Sequence, residues 1–434
     1  MKSWLIIGAG VSGFGAAQLL RKYGDNVRVS EKGVLPDPKK KSWTDIGVEC
    51  CDGGHHLSHL DGISHILLSP GVPSSHFLVE EARIRGLPQI SEIDLAIQDY
   101  RGCLIAVTGT NGKSTTCAMV HHLLNKLGLN NAIGGNFGEP PSATLARGSL
   151  PPYLVLELSS YQLEQSQNIR PSVAIFTSFS FDHIARHGSM AAYLEAKWRI
   201  FAHMGPSQLA LLTPEIKALG EKEGLAFHAS STSIDQKAIA ALFSDGKGPK
   251  ESHNRLNATF AVLAVAKVTG HPPSTLVSLL DDFRGLPHRC ELVGKIRGKA
   301  VINDSKSTNV ESTLVALFSQ EEPVILMMGG QGKGEPYSPI LEKKALIGAL
   351  VTFGPTGTTI SQELHGSVPI YPFPTLEAAL GGISGIINKY QHPILFSPGC
   401  ASFDEFSNYE HRGEVFRKAM IPLCDSSPSR DRSS

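Results

Sequence analysis

Short apolar runs alternate along the chain with stretches in which apolar residues recur every three or four positions. The runs have the length of buried strands, and the stretches have the period of amphipathic helices. Strands and helices that alternate in this way are typical of parallel α/β units rather than of sandwiches or helical bundles. The pattern therefore predicts an α/β protein.

Three regions can be separated within this pattern. The first (1–92) opens with the strand WLIIG, a glycine-rich turn and the helix GFGAAQLLRKYG. The second (93–285) opens with the strand CLIAV, a second glycine turn and a helix from Ser114, and the third (286–424) contains the strands KAVIND, PVILMMGG and PILFSPG. We expect the stretch from about Gly205 to Lys250 to be loop-rich and the polar residues 425–434 to form a disordered tail.

Composition narrows the class of protein. A chain of 434 residues exceeds one ordinary core, which favours a multidomain enzyme. Forty Lys and Arg balance forty Asp and Glu, which argues against a broad nucleic-acid surface or a polybasic membrane anchor. No apolar run has the roughly 20 residues of a membrane span, and seven cysteines without C-x-x-C spacing favour the reduced cytoplasm.

The first glycine turn resembles a dinucleotide fingerprint. Gly8, Gly10, Gly13 and Gly15 lie between a strand and a helix, and Glu31 ends the next strand. Such a turn lets the backbone approach a pyrophosphate at a helix N-terminus. An NAD-dependent oxidoreductase, another diphosphate such as that of a UDP-sugar, and a purely structural turn all remain open.

The second glycine turn predicts a nucleotide phosphate site. It follows a strand, opens a helix and reads Gly109, Thr110, Asn111, Gly112, Lys113, Ser114, Thr115. Backbone N–H groups and Lys113 would hold the β- and γ-phosphates, and Ser114 or Thr115 would reach Mg²⁺. The usual pattern has a glycine five residues before Gly112, where this chain has Val107.

A carboxylate interrupts the apolar strand YLVLELSSYQLE at Glu157. A buried carboxylate is costly unless it meets a cation, and in P-loop proteins an acid on a neighbouring strand completes the Mg²⁺ shell. The alternative is a surface glutamate on an edge strand, which the flanking Leu156 and Leu158 disfavour.

Several polar residues do not identify a site by themselves. His183, His187 and Lys197 are compatible with ordinary surface or structural roles, and we interpret His55, His56, His59 and His65 as loop surface rather than a metal site. Asn254 and Asn257 share a helix face. The segments GLPHR, VINDSKSTNV and SPGCASFDEFSNYEHRG are rich in polar groups that suit ligand binding or capping equally well.

Taken together, the segments GTNGKST, LELSSYQLE, FDH, AAYLEAK, HNRLNA, GLPHR, NDSKSTN and SPGCASFDEF resemble the Mur ligase family, in order and over nearly the whole chain. NDSKSTN and SPGCASFDEF favour its D-glutamate-adding branch. The resemblance implies three domains: an N-terminal Rossmann-like domain for UDP, a central P-loop ATPase-like domain for ATP, and a C-terminal Rossmann-like domain for the amino acid. It also implies that Val107 is a family feature of a shortened loop.

The resemblance implies an ATP-dependent ligase that joins D-glutamate to UDP-N-acetylmuramoyl-L-alanine through an acyl phosphate. It assigns catalysis to Lys113, Glu157, His183 and Lys197, with two Mg²⁺ ions. One ion would lie at Ser114 and Glu157. The other would lie near His183 and Lys197, whose amine would carry a CO₂-derived carbamate.

The resemblance also assigns binding positions. ATP would contact Asn254, Asn257, Arg289 and Asp304. The UDP moiety would contact Val11, Ser12, Glu31, Ser69 and Gly71, and the muramoyl part would contact Asn136, Ser159 and Gln162. D-Glutamate would contact Lys306, Thr308, Lys333, Ser402 and Tyr409. The chain departs from some members at Glu31-Lys32-Gly33, where they have Asp-Thr-Arg, and at Tyr409, where Phe is common.

Other functions remain possible at this point. They are another amide ligase of the superfamily, such as a folylpolyglutamate synthase or a different Mur ligase, an NAD-dependent oxidoreductase, and a non-catalytic nucleotide-binding module. We expect a cytoplasmic monomer that binds no nucleic acid and does not insert into membranes.

Overall fold

A computed structural model describes residues 1–249 and 252–425. These residues form three sheets whose neighbouring strands are joined mainly through helices, so the predicted α/β class is confirmed. The chain divides into two compact units. The first comprises Met1–Phe179, Ile184–Lys250 and Asn254–Phe283, and the second comprises Ser180–His183, Glu251–His253 and Arg284–Ser434.

The first sheet has five parallel strands in the order β3-β2-β1-β4-β5. Its strands are β1 (Ser3–Ile7), β2 (Asn26–Ser30), β3 (Glu49–Cys51), β4 (His65–Leu68) and β5 (Gln89–Ser91). Its helices are α1 (Val11–Lys22), α2 (Asp37–Asp45), α3 (Phe77–Ile84) and α4 (Glu92–Ile97), with a 3-10 helix at Leu57–Leu60. The strand order reverses next to β1, which makes the carboxyl ends of β1 and β4 the expected ligand crevice.

The second sheet has six parallel strands in the order β11-β10-β9-β6-β8-β7. They are β6 (Cys103–Thr108), β7 (Asn131–Gly135), β8 (Tyr153–Glu157), β9 (Val173–Phe176), β10 (Leu209–Leu212) and β11 (Ser230–Ser233). The helices are α5 (Lys113–Lys126), α6 (Pro141–Arg147), α7 (Ser160–Gln165), α8 (Ile184–His187), α9 (Met190–Trp198), α10 (Pro214–Lys222), α11 (Gln236–Leu242), α12 (Ser252–Thr269) and α13 (Pro273–Ser278). A 3-10 helix, Arg199–Phe201, follows α9.

The third sheet, in the second unit, has the order β12-β13-β17-β14-β15-β16 and is parallel except for the β12-β13 pair. Its strands are β12 (Glu291–Ile296), β13 (Lys299–Asn303), β14 (Val324–Gly329), β15 (Ile347–Phe353), β16 (Ile370–Pro372) and β17 (Ile394–Phe396). Its helices are α14 (Val310–Phe318), α15 (Gly357–Glu363), α16 (Leu376–Tyr390) and α17 (Tyr409–Met420), with 3-10 helices at Ser338–Leu346 and Ile421–Leu423.

The second sheet is buried on both faces, which explains its apolar strands. Along β6, Ile105 and Val107 pack against α5 and α12, whereas Leu104 and Ala106 pack on the opposite face with Trp198. Burying a Leu, Ile or Val side chain contributes about 1.5–3 kcal/mol. This core fixes the carboxyl ends of the strands, where the glycine turn and Glu157 lie.

One prediction about chain organisation was wrong in detail, and the predicted tail (425–434) stays a prediction. The stretch 205–250 holds β10, α10, β11 and α11 instead of being loop-rich. The sequence hides β11 because its residues, Ser-Ser-Thr-Ser, are polar and exposed and carry no hydrophobic signal. In the predicted tail, Asp425 is ordered by accepting hydrogen bonds from the N–H groups of Arg297 and Gly298, each at 2.9 Å, and 426–434 lie outside the described residues.

The predicted domain boundaries, 92/93 and 285/286, separate the three sheets along the chain. The first unit nevertheless contains two of the sheets, and helix contacts join them. Gly15 on α1 is so close to α6 that an added Cβ would lie 2.9 Å from Ser142 Oγ. Division into three independent domains therefore stays a prediction.

Candidate active site

The turn between β6 and α5 requires glycine at two positions. Gly109 and Gly112 have φ angles of +142° and +84°, a region that residues with side chains rarely adopt. An added Cβ would lie 2.1 Å from Thr177 Oγ1 at Gly109 and 2.5 Å from Asn257 Oδ1 at Gly112. Among the described residues no side chain caps the start of α5, so its first N–H groups suit an anion such as phosphate.

Two lysine side chains converge on the carbonyl oxygen of Gly109. Lys113 donates to this oxygen at 2.8 Å and to Thr110 O at 2.7 Å, and Lys197 from α9 donates to the Gly109 oxygen at 2.7 Å. Lys197 is 1% exposed, and its Nζ lies 4.7 Å from the centroid of the Tyr193 ring. Both amines thus lie at the same end of the turn, where the positive charge of Lys113 suits anionic oxygens.

Ser114 and Glu157 form a buried pair of oxygen donors beside these lysines, and the exposed Asn136 contacts it. Glu157 is the last residue of β8 and is 1% exposed, so the surface-glutamate alternative is wrong. The Ser114 hydroxyl donates to Glu157 Oε2, and Asn136 Nδ2 donates to Glu157 Oε1 at 2.6 Å. A hydroxyl and a carboxylate next to a phosphate loop are the oxygen donors that Mg²⁺ prefers, so this donor set fits the ion.

The loop after β9 braces the turn. Thr110 N–H donates to Ser178 O, and Asn111 N–H donates to Ser178 Oγ, both at 2.8 Å. Thr177 Oγ1 donates to Asn111 O at 2.5 Å. These bonds hold the backbone of the turn open towards its ligand side. Sequence reasoning missed Thr177 and Ser178, and the hydroxyl-rich TSFS after the strand VAIF was the available signal.

Helix α12 contributes the predicted asparagine face. Asn257 is buried, and its Oδ1 accepts from Thr116 Oγ1 at 3.4 Å, which ties α12 to α5. Asn254 is partly buried one turn earlier, and Thr115 is partly buried on α5. The structure thus places Asn257 against the phosphate turn, as the sequence predicted for a nucleotide contact.

The first glycine turn is built differently. Gly8 has φ +95°, and a Cβ on Gly13 would lie 2.7 Å from Gly8 O. Ser69 Oγ donates to Gly8 O at 2.9 Å. Glu31 Oε2 accepts from Ala9 N–H at 2.7 Å. Burial opposes ionisation of Glu31, but hydrogen bonds from backbone N–H groups outweigh it and lower the pKa of this carboxyl.

The other UDP candidates lie at the surface of this crevice. Val11, the first residue of α1, is 75% exposed, and Ser12 is partly buried. Gly71 is exposed, and a Cβ there would have no neighbour within 4 Å. Packing therefore does not explain an exposed valine at 11 or a glycine at 71, whereas a ligand would.

Ser159 and Gln162 form a capping box at the start of α7. Gln162 N–H donates to Ser159 Oγ at 3.3 Å, and Ser159 N–H donates to Gln162 Oε1 at 3.0 Å. This structural role accounts for both residue types. Their contact with the muramoyl group stays a prediction.

In the second unit, Asp304 follows β13 and is buried. It accepts hydrogen bonds from Ser307 Oγ, from Ser397 Oγ at 2.8 Å and from Cys290 N–H at 3.1 Å. Burial raises the pKa of Asp304, although these donors and the nearby Arg289 oppose the shift. Arg289 and Asp304 are therefore neighbours, as expected for a shared ligand.

Two of the five D-glutamate candidates contact each other. Lys306 Nζ lies 4.0 Å from the centroid of the Tyr409 ring, at the start of α17. Thr308 is partly buried in the same loop as Lys306, and Ser402 is 2% exposed. Lys333 lies apart from these contacts and donates to Asp182 Oδ1 at 2.9 Å within the second unit.

His183 belongs to the short segment of the second unit that contains Asp182. It has φ +56°, and its Nε2 lies 3.5 Å from Asp182 Oδ2. Lys197 belongs to the first unit. The predicted pairing of His183 and Lys197 around a second metal stays a prediction.

Family models match two parts of the chain. A model of the Mur ligase middle domain matches residues 107–261, and a model of the MurD-like N-terminal domain of Mur ligases matches residues 2–91. Curated relatives named UDP-N-acetylmuramoylalanine–D-glutamate ligase match almost end to end. The protein of Pelotomaculum thermopropionicum is 32% identical, covering 97% of this chain and 98% of its own, and that of Anaeromyxobacter dehalogenans is 34% identical, covering 95% and 96%. The chain belongs to the Mur ligase family.

Solved structures agree on the fold. UDP-N-acetylmuramate-alanine ligase MurC of Thermotoga maritima has a TM-score of 0.59 at 16% identity, covering 96% of this chain and 98% of its own. A Mycobacterium tuberculosis folylpolyglutamate synthase has a TM-score of 0.57 at 14% identity, covering 75% and 94%. The predicted fold of a Rossmann-like domain, a P-loop ATPase-like domain and a second Rossmann-like domain is thus confirmed for this Mur ligase.

One buried residue of this Mur ligase escaped sequence reasoning. Arg412 on α17 is fully buried and donates to Ser305 O at 2.7 Å, to Cys400 O at 2.9 Å and to Ala401 O at 3.2 Å. It therefore ties together the two loops that carry Lys306 and Ser402. Burial lowers the pKa of Arg412 to about 10. In the sequence, the only hint of a role for Arg412 was its position three residues after Tyr409, in the segment NYEHRG.

Two features are absent from the described residues: a metal-holding cluster of acidic, histidine or cysteine side chains, and a membrane-spanning helix. In residues 1–249 and 252–425, no three His, Cys, Asp or Glu side chains are arranged to hold a metal ion. None of the helices in the same ranges combines the length and apolar character needed to cross a bilayer.

Proposed function

We propose that this Mur ligase uses ATP to join D-glutamate to UDP-N-acetylmuramoyl-L-alanine. The observation that carries the proposal is the near end-to-end similarity to relatives named for that reaction. The β6–α5 turn supports it, because Lys113, Ser114 and Glu157 form a phosphate and Mg²⁺ site at the carboxyl end of the second sheet. The product belongs to peptidoglycan precursor synthesis.

The substrate carboxylate is a poor electrophile, so it must be activated before an amide can form. Its oxygen attacks the γ-phosphorus of ATP, the bond to ADP breaks, and an acyl phosphate results. The D-glutamate amine then attacks the acyl carbon, loses a proton and expels phosphate. Both steps concentrate anionic oxygens in one place, so positioning and positive charge supply most of the catalysis.

Each residue of the turn has a separate task in this scheme. The N–H groups at the start of α5 bind the ATP phosphates, and Lys113 exchanges its bonds to Gly109 O and Thr110 O for phosphate oxygens. Ser114 and Glu157 would hold one Mg²⁺, whose charge would offset that of the ATP phosphates. Asn136 keeps the Glu157 carboxylate oriented. Asn254, Asn257, Arg289 and Asp304 bind the rest of the nucleotide.

We further propose that Lys197 is carbamylated and, with His183, holds a second Mg²⁺. Lys197 is buried, and its Nζ meets the same carbonyl oxygen as Nζ of Lys113. The neutral amine is the form that adds CO₂, and the resulting carbamate offers the anionic oxygens that Mg²⁺ prefers. Lys197→Ala should abolish turnover, and acetate should restore part of it. Full turnover in Lys197→Ala would rule out the carbamate.

The remaining substrate contacts follow the same assignment. Val11, Ser12, Glu31, Ser69 and Gly71 bind the UDP end, and Asn136, Ser159 and Gln162 contact the muramoyl part. The two D-glutamate carboxylates are received by Lys306, Thr308, Lys333, Ser402 and Tyr409. We propose a cytoplasmic monomer, and light scattering of the purified protein tests the monomer.

One assay tests the function. The protein is incubated with ATP, Mg²⁺, UDP-N-acetylmuramoyl-L-alanine and one amino acid at a time, and phosphate release is followed. D-Glutamate should support turnover, whereas L-alanine and a diamino acid should not. Turnover with either of those in place of D-glutamate would assign a different amide ligase.

A further inference from the structure

Three imidazoles gather at the carboxyl end of the first sheet, outside the contacts described above. Ser30, the last residue of β2, is fully buried, and its Oγ lies 2.7 Å from His55 Nδ1 and 2.8 Å from His59 Nδ1. One hydroxyl carries one proton, so it donates to at most one of the two nitrogens and accepts from the other. The two rings are therefore held in fixed and linked orientations.

His76 approaches from the loop after β4. Its ring meets His55 edge to face with centroids 4.7 Å apart, and it stacks on Phe77 at 4.9 Å. His76 Nδ1 accepts from Leu78 N–H at 3.3 Å and so caps α3. A ring whose Nδ1 accepts carries its proton on Nε2, which leaves Nε2–H as a donor.

This imidazole wall, formed by His55 and His76, joins loops from opposite sides of β1. His55 follows β3, which lies beyond β2, and His76 follows β4 on the other side. Glu31, next to Ser30, reaches the glycine turn through Ala9 N–H and is electrostatically coupled to His55. The wall therefore stands at the crevice where this sheet is expected to bind its ligand.

The surroundings of the wall favour uncharged rings. Burial lowers the pKa of His55 and of His76, and at His55 the nearby His76 and His59 lower it further while Glu31 opposes the shift. Within the described residues no metal-holding cluster includes these histidines. Neutral aromatic rings with an N–H donor suit a flat heterocycle that carries carbonyl oxygens.

We propose that His55 and His76 form the nucleobase contact of the UDP site and select the uracil ring. The proposal rests on the proposed function, because it takes UDP as the ligand of the first glycine turn. The turn binds the diphosphate, and the wall binds the base. The histidines that the sequence left as loop surface thus determine which nucleotide enters the site.

The test compares variants that keep the local hydrogen bonds but lose the ring. In His76→Asn the amide oxygen still caps α3, and in His55→Asn the amide still reaches Ser30. His65→Asn is the matched control, because His65 begins β4 at the opposite end of the strand and its ring lies 4.6 Å from the Trp4 ring, tilted by 37°. Calorimetry measures the affinity of each protein for UDP and for pyrophosphate, which lacks the base.

Each ring deletion should weaken UDP binding on the order of tenfold and leave pyrophosphate binding unchanged, and His65→Asn should match the wild type for both ligands. Unchanged UDP affinity in both His55→Asn and His76→Asn would refute the proposed nucleobase contact. The proposed function would not be affected. A parallel loss for pyrophosphate would also refute the contact, because the rings would then only support the turn. If UDP fails to bind the wild-type protein, the UDP assignment itself fails.

Discussion

The two glycine turns of the first unit use one backbone device for two different tasks. Each turn follows a parallel strand and opens a helix without a side-chain cap among the described residues. The first turn is braced by a carboxylate, because Glu31 accepts from Ala9 N–H. The second turn carries a cation instead, because Lys113 donates to Gly109 O.

This difference separates binding from chemistry. A diphosphate that is only held in place needs N–H groups and a crevice, whereas a phosphoryl group that is transferred develops charge that cations must stabilise. The two turns therefore predict different responses to mutation. Removing a side chain at the second turn should damage turnover, and altering the first should damage binding or folding.

The largest expected effect concerns the cation of the second turn. Lys113→Ala should reduce turnover on the order of 1000-fold, whereas Ser12→Ala in the first turn should change it less than tenfold. The control is Lys126→Ala at the other end of α5, where the ammonium pairs with Asp282. Steady-state phosphate release measures all three, and equal losses in Lys113→Ala and Ser12→Ala would contradict the contrast.

The second prediction concerns the carboxyl group that joins the two halves of the first unit. Glu92 on α4 is buried and accepts from Ser142 N–H at the start of α6 at 2.8 Å. Burial raises the pKa of Glu92 from 4.5 to about 7. Between these pH values the folded state binds more protons than the unfolded state, so its stability falls as pH rises.

Glu92→Gln cannot ionise. Above pH 7 its free energy of unfolding should therefore exceed that of the wild type, by up to about 3 kcal/mol. The advantage should vanish below pH 4.5, where the carboxyl is protonated in both the folded and the unfolded wild type. Urea unfolding of the two proteins at pH 5 and pH 8 measures the difference. A constant difference across this range would show that Glu92 does not titrate there.

The third prediction compares two glycines of the first turn. A Cβ on Gly13 would lie 2.7 Å from Gly8 O, whereas a Cβ on Gly10 would meet nothing within 4 Å. Gly13→Ala should lower the free energy of unfolding by about 1–3 kcal/mol, and Gly10→Ala should stay within about 0.5 kcal/mol. Thermal unfolding measures the stability of both variants. Equal stability would show that close packing does not require glycine at position 13.

The smallest expected effect concerns the brace of the first turn. In Glu31→Gln the amide oxygen can still accept from Ala9 N–H but carries no charge, so UDP affinity should fall about fivefold. ATP affinity, measured in the same calorimeter, should not change. A 100-fold loss of UDP affinity would show that Glu31 contributes far more to UDP binding than a brace of the turn does.

The local parts of the fold could be predicted from the sequence. A strand, a glycine turn and a helix follow one another within about twenty residues at both turns, and their apolar patterns are strong. Gly109, Gly112, Lys113 and Ser114 were identified because their constraints are local. The buried position of Glu157 was also predictable, since its neighbours are leucines.

Contacts between distant segments could not be predicted in this way. Arg412 bonds to carbonyls of residues 305, 400 and 401, and no pattern near Arg412 encodes them. The imidazole wall joins residues 55 and 76 through a strand order that reverses at β1. His65, interpreted as loop surface, is instead the first residue of β4, because one strand-start histidine looks like any loop histidine.

Strand β11 has a consequence for the behaviour of the protein in solution. It is the outer strand of the second sheet, and its four residues are exposed serines and a threonine. An open sheet edge can pair with another chain and start aggregation, and short polar strands reduce that tendency. Replacing Ser231 and Ser233 with valine would give the sequence the hydrophobic pattern of a strand. The same change would expose an apolar sheet edge with which neighbouring molecules could pair and aggregate.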